Sequence, residues 1–350
     1  MSKTPFSVLA DSSLGAAALS AATLANLDSL GYRQMTDIQA SSLPVILAGQ
    51  DLIAQAKTGS GKTAAFGIGL LHRLNPSLFA VQALVLCPTR ELADQVAQEL
   101  RRLARFADNI KILTLCGGTP MGPQIGSLEH GVHVVVGTPG RIRDHLGRGS
   151  INFDRLNTLV LDEADRMTDM GFYDEISGIV SACPERRQTL LFSATFPDDI
   201  RHATQHFLKQ PVELKVEAQH DASRIEQRFY AVASEARNAA VASLLKHYRP
   251  VSTLAFCNTK IHCRELADAL RRQGFSALAL YGDLEQRERD EILVQFANQS
   301  CSVLVATDVA ARGLDIQTLG AVINVDVSKD TEVHIHRIGT PGGARNAAWR

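Results

Sequence analysis

Four- and five-residue apolar runs punctuate the chain at Asp51–Gln55, Ala83–Cys87, Lys111–Leu115, His133–Gly137, Thr158–Leu161 and Thr189–Phe192. Runs such as ALVLC and TLVLD are apolar at nearly every position instead of every second one, which fits strands buried on both faces of a parallel sheet. The longer segments between them follow a helical period. In Arg90–Phe106 the apolar residues Leu92, Val96, Leu100 and Leu103 fall three or four apart. Alternating strand and helix units predict a doubly wound α/β fold. The rhythm pauses at Lys209–Ser223, where Pro211 and the polar stretch after Val216 mark a boundary. It resumes with expected strands at Arg228–Val232, Thr253–Cys257, Ala277–Tyr281, Ser302–Ala306 and Ala321–Val325. Expected helices follow the same order at Ala236–His247, Lys260–Gln273 and Glu285–Ala297. The pattern therefore predicts two tandem α/β domains with mainly parallel sheets, over 1–217 and 218–350.

Composition narrows the class. With 45% hydrophobic residues in 350, the chain is neither disordered nor collagenous. No apolar stretch approaches the roughly 18 residues of a membrane span, and the N-terminus shows no secretory pattern, so no membrane partner is expected. The six cysteines form no C-x-x-C pair and no zinc spacing, which predicts reduced core thiols and a cytoplasmic location. A net charge of −1 excludes a basic coat for nucleic acid but leaves room for a local basic groove.

Chemistry enters at Ala56-Lys57-Thr58-Gly59-Ser60-Gly61-Lys62-Thr63, between the strand-like DLIAQ and the helix-like AAFGIGLLHRL. Strand, glycine-rich loop and helix start form the context of a phosphate-binding P-loop. Gly59 and Gly61 let backbone N–H groups curl around phosphate oxygens, and the helix N-terminus adds positive potential. Lys62 is placed to reach the outer phosphates and Thr63 to ligate Mg²⁺. Ala56 stands where the generic pattern has its first glycine, and a plain glycine-rich turn is the bland alternative. Asp162-Glu163-Ala164-Asp165 ends the run TLVL, so its first acids lie at a strand's C-terminal end, where open α/β sheets bind ligands. Asp162 is placed to hold the metal and Glu163 to deprotonate an attacking water. An acidic run alone is more often a solvated loop. Two strand-end motifs in one domain instead point to an ATPase or GTPase.

The ordered set GYRQMTDIQ, AKTGSGKT, PTRELADQ, GG, TPGR, LDEADRM, SAT, FCNTK, YGDLEQRER and VLVATDVAARGLD resembles the DEAD-box RNA helicases over about residues 20–339. The details QALVLCPTRELADQVA and Met35, where most of the family has proline, point to a bacterial branch that acts in ribosomal RNA and large-subunit assembly. The resemblance implies two RecA-like domains, ATP with Mg²⁺ as cofactors, RNA as partner, a monomer, and local duplex unwinding coupled to ATP hydrolysis. It implies that Tyr32 packs on adenine, that Gln39 reads the adenine edge, and that Asp315 lies near the ribose. It also implies RNA-backbone contacts by Pro88, Thr89, Arg90, Gly117, Gly118, Thr138 and Arg141, and by Gly282, Gln286, Arg289 and Thr307. Coupling between nucleotide and RNA falls to Asp165, Ser193, Thr195, Asp308, Arg312, His336 and Arg337. Each of these has an ordinary alternative: a Pro/Gly turn for TPGR, a helix cap near Asp198 for Ser193 and Thr195, a solvated helix face for Gln286 and Arg289.

The family's last motif reads H-R-I-G-R-T-G-R, whereas here Thr340 and Gly343 stand in the places of its two arginine fingers. Beyond Gly339 the likeness stops inside the motif, the pattern a change of reading frame would leave. The expectation is a second domain that lacks part of its sheet, lacks the RNA-binding domain that follows in that branch, and is less stable than the first. The rival reading is a catalytically impaired ATP- and RNA-binding remnant. A transporter ATPase or DNA translocase is disfavoured by YGDLEQRER and by the lack of an LSGGQ motif, and a purely structural protein leaves the P-loop unexplained.

Overall fold

The computed structural model describes residues 4–10, 18–56, 59–196, 205–216, 226–311, 319–328 and 337. Its chain divides into two compact units, Met1–Ala218 and Gln219–Arg350. In the first, seven strands run in sequence as β1 (Leu52–Gln55), β2 (Ala83–Leu86), β3 (Ile112–Leu115), β4 (Val134–Gly137), β5 (Thr158–Asp162), β6 (Gln188–Ser193) and β7 (Val212–Lys215). They lie in the order β3-β4-β2-β5-β6-β1-β7, every neighbouring pair parallel.

The uninterrupted apolar runs follow from burial on two faces. Ala83 and Val85 enter one core cluster while Leu84 and Leu86 enter the other. Helix Arg90–Leu103 shows the complementary pattern, burying Leu92, Val96, Leu100 and Leu103 and exposing Arg101 and Arg102. Its N-terminus is capped by Thr89, whose Oγ1 accepts from Leu92 N at 3.3 Å. Such a cap typically stabilises a helix by about 1 kcal/mol.

The strand order positions the functional loops. Those following β3, β4 and β2 are neighbours at one half of the sheet's C-terminal edge, and those following β5, β6 and β1 are neighbours at the other half. All six candidate loops of this unit therefore share one edge, the ligand edge of an open parallel sheet.

The second unit holds a parallel sheet in the order β11-β8-β10-β9, from β8 (Thr253–Phe256), β9 (Ala277–Leu280), β10 (Val303–Ala306) and β11 (Ala321–Asn324). Leu254 and Phe256 pack with Phe296 of helix Gln286–Ala297 on one face. Ala255 and Cys257 pack with Leu245, Leu266 and Leu270, from helices Arg237–Tyr248 and Lys260–Arg272, on the other.

Two expectations need correction. Val212–Lys215, assigned from sequence to the boundary, is a strand on β1, and its alternating burial is that of an edge strand. Arg228–Val232, expected as a strand, has no regular structure, and Phe229 is 85% exposed. β-forming residues make a ladder only beside a partner strand, and none is paired with this segment among the described residues. Its side chains pack locally instead: the Arg228 guanidinium lies 5.1 Å from the Tyr248 ring, and the Tyr230 and Tyr248 hydroxyls are 2.9 Å apart. All six cysteines are free and buried, as core residues. No described helix is long and apolar enough to cross a membrane.

Candidate nucleotide and nucleic-acid site

The loop after β1 enters helix Lys62–His72 through Gly61 as its N-cap, at φ +95°, with Gly59 also left-handed at +76°. A side chain at Gly61 would be strained by that φ, and its Cβ would sit 2.6 Å from Gln39 Nε2. Gln39 is accordingly no helix-surface residue. It is buried, its Oε1 accepts from Thr36 N at 2.9 Å, and its Nε2 donates to Gly61 O at 3.1 Å, so one side chain caps its own helix and braces the loop.

Lys62 is the most informative residue here. It is 5% exposed, and its Nζ has no hydrogen-bond partner within the protein. A buried ammonium without an acceptor is costly and seldom left so. The acceptor it fits is anionic, at a helix N-terminus whose N–H groups face the same way. Ala56 N donates to Ser193 O at 2.9 Å, tying the loop's start to the end of β6.

Asp162 closes β5 with 3% exposure and accepts from Glu163 N at 3.1 Å. Burial lifts its carboxyl to about 6; the nearby Lys62 charge opposes the rise, and Glu163 and Asp165 add to it. The folded value lies above the roughly 3.9 of an unfolded chain. Folded protein therefore retains the proton where unfolded protein has released it. The associated stability is complete below about pH 4 and lost as pH rises through about 6. Asp162→Asn, neutral throughout, is expected to unfold at higher urea than the parent near neutral pH without nucleotide or metal, the gap closing below about pH 4. Equal midpoints near neutrality would show that the carboxylate carries no burial cost.

Glu163 sits at φ +53°, just before helix Ala164–Asp169, with 4% exposure. Its Oε2 accepts from Arg166 Nη1 at 2.7 Å. Sequence reasoning missed Arg166, although the three-residue spacing within DEADR was its signal. Asp165 reaches across to the end of β6. Its Oδ2 accepts from Ala194 N at 3.0 Å, Thr195 N at 2.9 Å and Thr195 Oγ1 at 3.2 Å, while its own N–H donates to Ser193 Oγ at 3.2 Å. The expected link between the DEAD and SAT segments is thus a built set of hydrogen bonds. Tyr32 is half-buried, edge-on to Phe6, and donates through its hydroxyl to Glu99 Oε1 at 2.5 Å. Burial and that carboxylate raise its pKa strongly.

Arg90 lies over the Gly117-Gly118 turn: a Cβ on Gly118 would come within 1.9 Å of its Nη1, which is buried without a partner. The glycine pair therefore makes room for that guanidinium. Thr138 begins helix Pro139–Gly147 and donates its N–H to Leu115 O at 3.2 Å; Arg141 is in the first turn. Pro88 precedes the Thr89 cap. The residues expected after β2, β3 and β4 are thus adjacent, with two guanidinium groups among them.

In the second unit, Thr307 N donates to Leu280 O at 3.2 Å, and Arg289 Nη2 donates to Ala310 O at 3.3 Å. Gln286 is engaged by Asp290 on its own helix at 2.8 Å, and Gly282 is exposed with no steric need for glycine. Arg337 is fully buried. Its Nε and Nη2 grip Asp308 at 2.5 and 2.6 Å, Nη1 donates to Asp326 O at 2.6 Å, and Nη2 donates to Asn258 Oδ1 at 2.9 Å. It ties the loops after β8, β10 and β11 together. Lys57, Thr58, Asp315, Arg312 and His336 lie outside the described residues, as do Thr340 and Gly343.

Comparison with known proteins follows this division. The DEAD/DEAH box helicase family matches residues 36–203, and the helicase conserved C-terminal domain matches 236–342. The ATP-dependent RNA helicase DbpA of Escherichia coli (strain K12) is 56% identical over 326 residues, covering 93% of this chain and 71% of that protein. The DEAD-box ATP-dependent RNA helicase CshA of Geobacillus kaustophilus is 42% identical, covering 93% and 70%. Among solved structures, S. cerevisiae Dbp5 bound to RNA and ADP BeF3 is similar with a TM-score of 0.83 at 30% identity, covering 94% of this chain and 85% of that one. A DEAD box protein from the hyperthermophile Methanococcus jannaschii is similar with a TM-score of 0.56 at 38% identity, covering 94% and 89%.

Proposed function

The chain belongs to the DEAD/DEAH box helicase family and is an ATP-dependent RNA helicase, and from that premise we propose that it works as a cytoplasmic monomer on ribosomal RNA during large-subunit assembly. The observation that carries the site assignment is the buried, unpartnered Lys62 ammonium beside Asp162, on the sheet edge that also holds the arginine-bearing loops.

The N–H groups of residues 59–63 and the Lys62 ammonium receive the phosphates, and Tyr32 and Gln39 flank the base. The oxygens of Thr63 and Asp162 suit a hard cation such as Mg²⁺. Bound there, Mg²⁺ neutralises charge on the phosphate oxygens. Glu163, fixed by Arg166, accepts a proton from the attacking water. Asp165 relays the state of that segment to Ser193 and Thr195 through the hydrogen bonds it makes. Within the first unit Thr89, Arg90, Gly117, Gly118, Thr138 and Arg141 are the positions for RNA backbone, and within the second, taken by itself, Gly282, Gln286, Arg289 and Thr307 are. Backbone contacts carry little sequence information and make affinity salt-dependent.

Phosphate release is measured with large-subunit ribosomal RNA and with unrelated RNA of equal length, for the parent and for Lys62→Met. Comparable stimulation by the two RNAs is the expected result of loops that hold only the backbone. The ribosomal assignment is tested by co-sedimentation of the chain with large-subunit precursors, and its absence from those fractions would remove it. Lys62→Met is expected to lose ATP affinity by about tenfold or more, the scale of hydrogen bonds to a charged group, while its nucleotide-free melting temperature does not fall.

A further inference from the structure

The RNA-facing loops carry a connection that no motif predicts. Gln124, on helix Met121–Glu129, is 8% exposed, and its amide is fully engaged. Nε2 donates to Cys116 O at 3.1 Å and to Thr119 Oγ1 at 2.7 Å, both in the loop after β3 that contains Gly117-Gly118. Oε1 accepts from Arg141 Nε at 2.8 Å and from His145 Nε2 at 3.0 Å, both on the helix after β4. Two donors and two acceptor sites exhaust the amide, and the reverse orientation would set its NH₂ against the Arg141 N–H. Arg141 is held a second time by Thr119, whose carbonyl accepts from Nη2. His145 is completely buried, with Nδ1 2.8 Å from Ser150 Oγ. Desolvation, reinforced by the Arg141 charge, lowers the imidazole's pKa, and with Nε2 carrying a proton the ring donates to Gln124 Oε1.

A residue that only filled this space would be apolar, because a buried amide is costly unless every hydrogen bond is made. We propose that Gln124 is a positioning residue for RNA: it bridges the two adjacent loops and fixes the Arg141 guanidinium where a backbone phosphate docks. The proposal rests on the reading of these loops as RNA contacts. It assigns to an uncharged residue, which need not touch RNA, control over one electrostatic contact. Placing Arg141 beforehand removes the ordering that a free arginine would undergo on binding.

The test is fluorescence anisotropy of a labelled single-stranded oligoribonucleotide with the full chain and a non-hydrolysable ATP analogue, across about 50–200 mM salt. Parent, Gln124→Leu, Gln124→Met, Arg141→Ala and the Gln124→Leu/Arg141→Ala double variant are compared. Each phosphate contact on a single strand contributes about −0.7 to the slope of log K against log salt. Gln124→Leu removes no charge, so a merely structural role leaves that slope alone. The expected result is that it shallows the slope by about 0.7 and weakens RNA binding by about tenfold, that Arg141→Ala does the same, and that the double variant is no worse than Arg141→Ala. Affinity for the ATP analogue, which also reports that the first unit is folded, should not change. Gln124→Met, unbranched and near in volume, supplies the same reading if the leucine variant does not fold. An unchanged slope in the folded glutamine variants, with loss in Arg141→Ala, overturns the proposal and leaves the RNA reading standing. Additive losses in the double variant also overturn it. No loss in Arg141→Ala overturns the reading of these loops as RNA contacts.

Discussion

Glu163→Gln is expected to leave ATP binding within about threefold and to lower RNA-stimulated hydrolysis by about 10²–10⁴-fold, the usual worth of a positioned general base. Glu163 is 4% exposed, lies one residue beyond Asp162, and is held in place by Arg166 at 2.7 Å. Glutamine keeps the shape and an oxygen for Arg166 but cannot take the proton. Asp162 and Lys62 are untouched, so the phosphate and metal positions persist. The comparison belongs in the T340R/P341T/G343R background, where turnover should be highest, with initial rates of phosphate release at saturating ATP and RNA beside a titration with an ATP analogue. Undiminished hydrolysis would remove Glu163 as the base. Loss of analogue binding would instead mean that the Glu163–Arg166 pair shapes the loop.

Most of the architecture was legible in the sequence because two-sided burial leaves a strong mark. ALVL and TLVLD are unbroken apolar runs since their alternate residues face different cores, and the motifs follow such runs. What escaped depended on partners distant in sequence. Val212–Lys215 alternates over only four residues, too short a stretch to identify alone, and its pairing with β1 makes it a strand. Arg228–Val232 has the composition of a strand without a described neighbour to pair with, and composition does not encode neighbours.

The site shows the same limit. Lys62, Asp162 and Glu163 could be named from local pattern. Their states could not: the unpartnered ammonium and the carboxyl lifted to about 6 both arise from burial by the surrounding fold. Gln124 had no signal at all, being a glutamine on a short helix between two motifs. Its four partners come from residues 116, 119, 141 and 145, brought together by the adjacency of β3 and β4. Arg337 was expected to couple the two sites. In the structure its buried guanidinium clamps Asp308 and the end of β11, contacts that all lie within the second unit.

The T340R/P341T/G343R chain is expected to hydrolyse ATP about 10³–10⁵-fold faster than the parent when RNA is saturating, the range an arginine finger contributes. The motif begins His336-Arg337-Ile338-Gly339 as the family has it, then places Thr340 and Gly343 where two arginines belong. A threonine hydroxyl or a glycine can offer the γ-phosphate no guanidinium charge as negative charge builds on its oxygens. Arg345 is two positions out of register and does not replace it. Binding should change far less than rate, because the finger acts on the transition state more than on bound ATP. Affinities for the ATP analogue and for RNA are therefore expected to stay within a few-fold of the parent. A parent chain that already turns over as fast as the substituted one would show that the reaction proceeds without these arginines and would end the reading of the chain as an impaired remnant. A substituted chain as slow as the parent would locate the defect elsewhere in the second unit, where a melting curve that reports the two units separately would detect it.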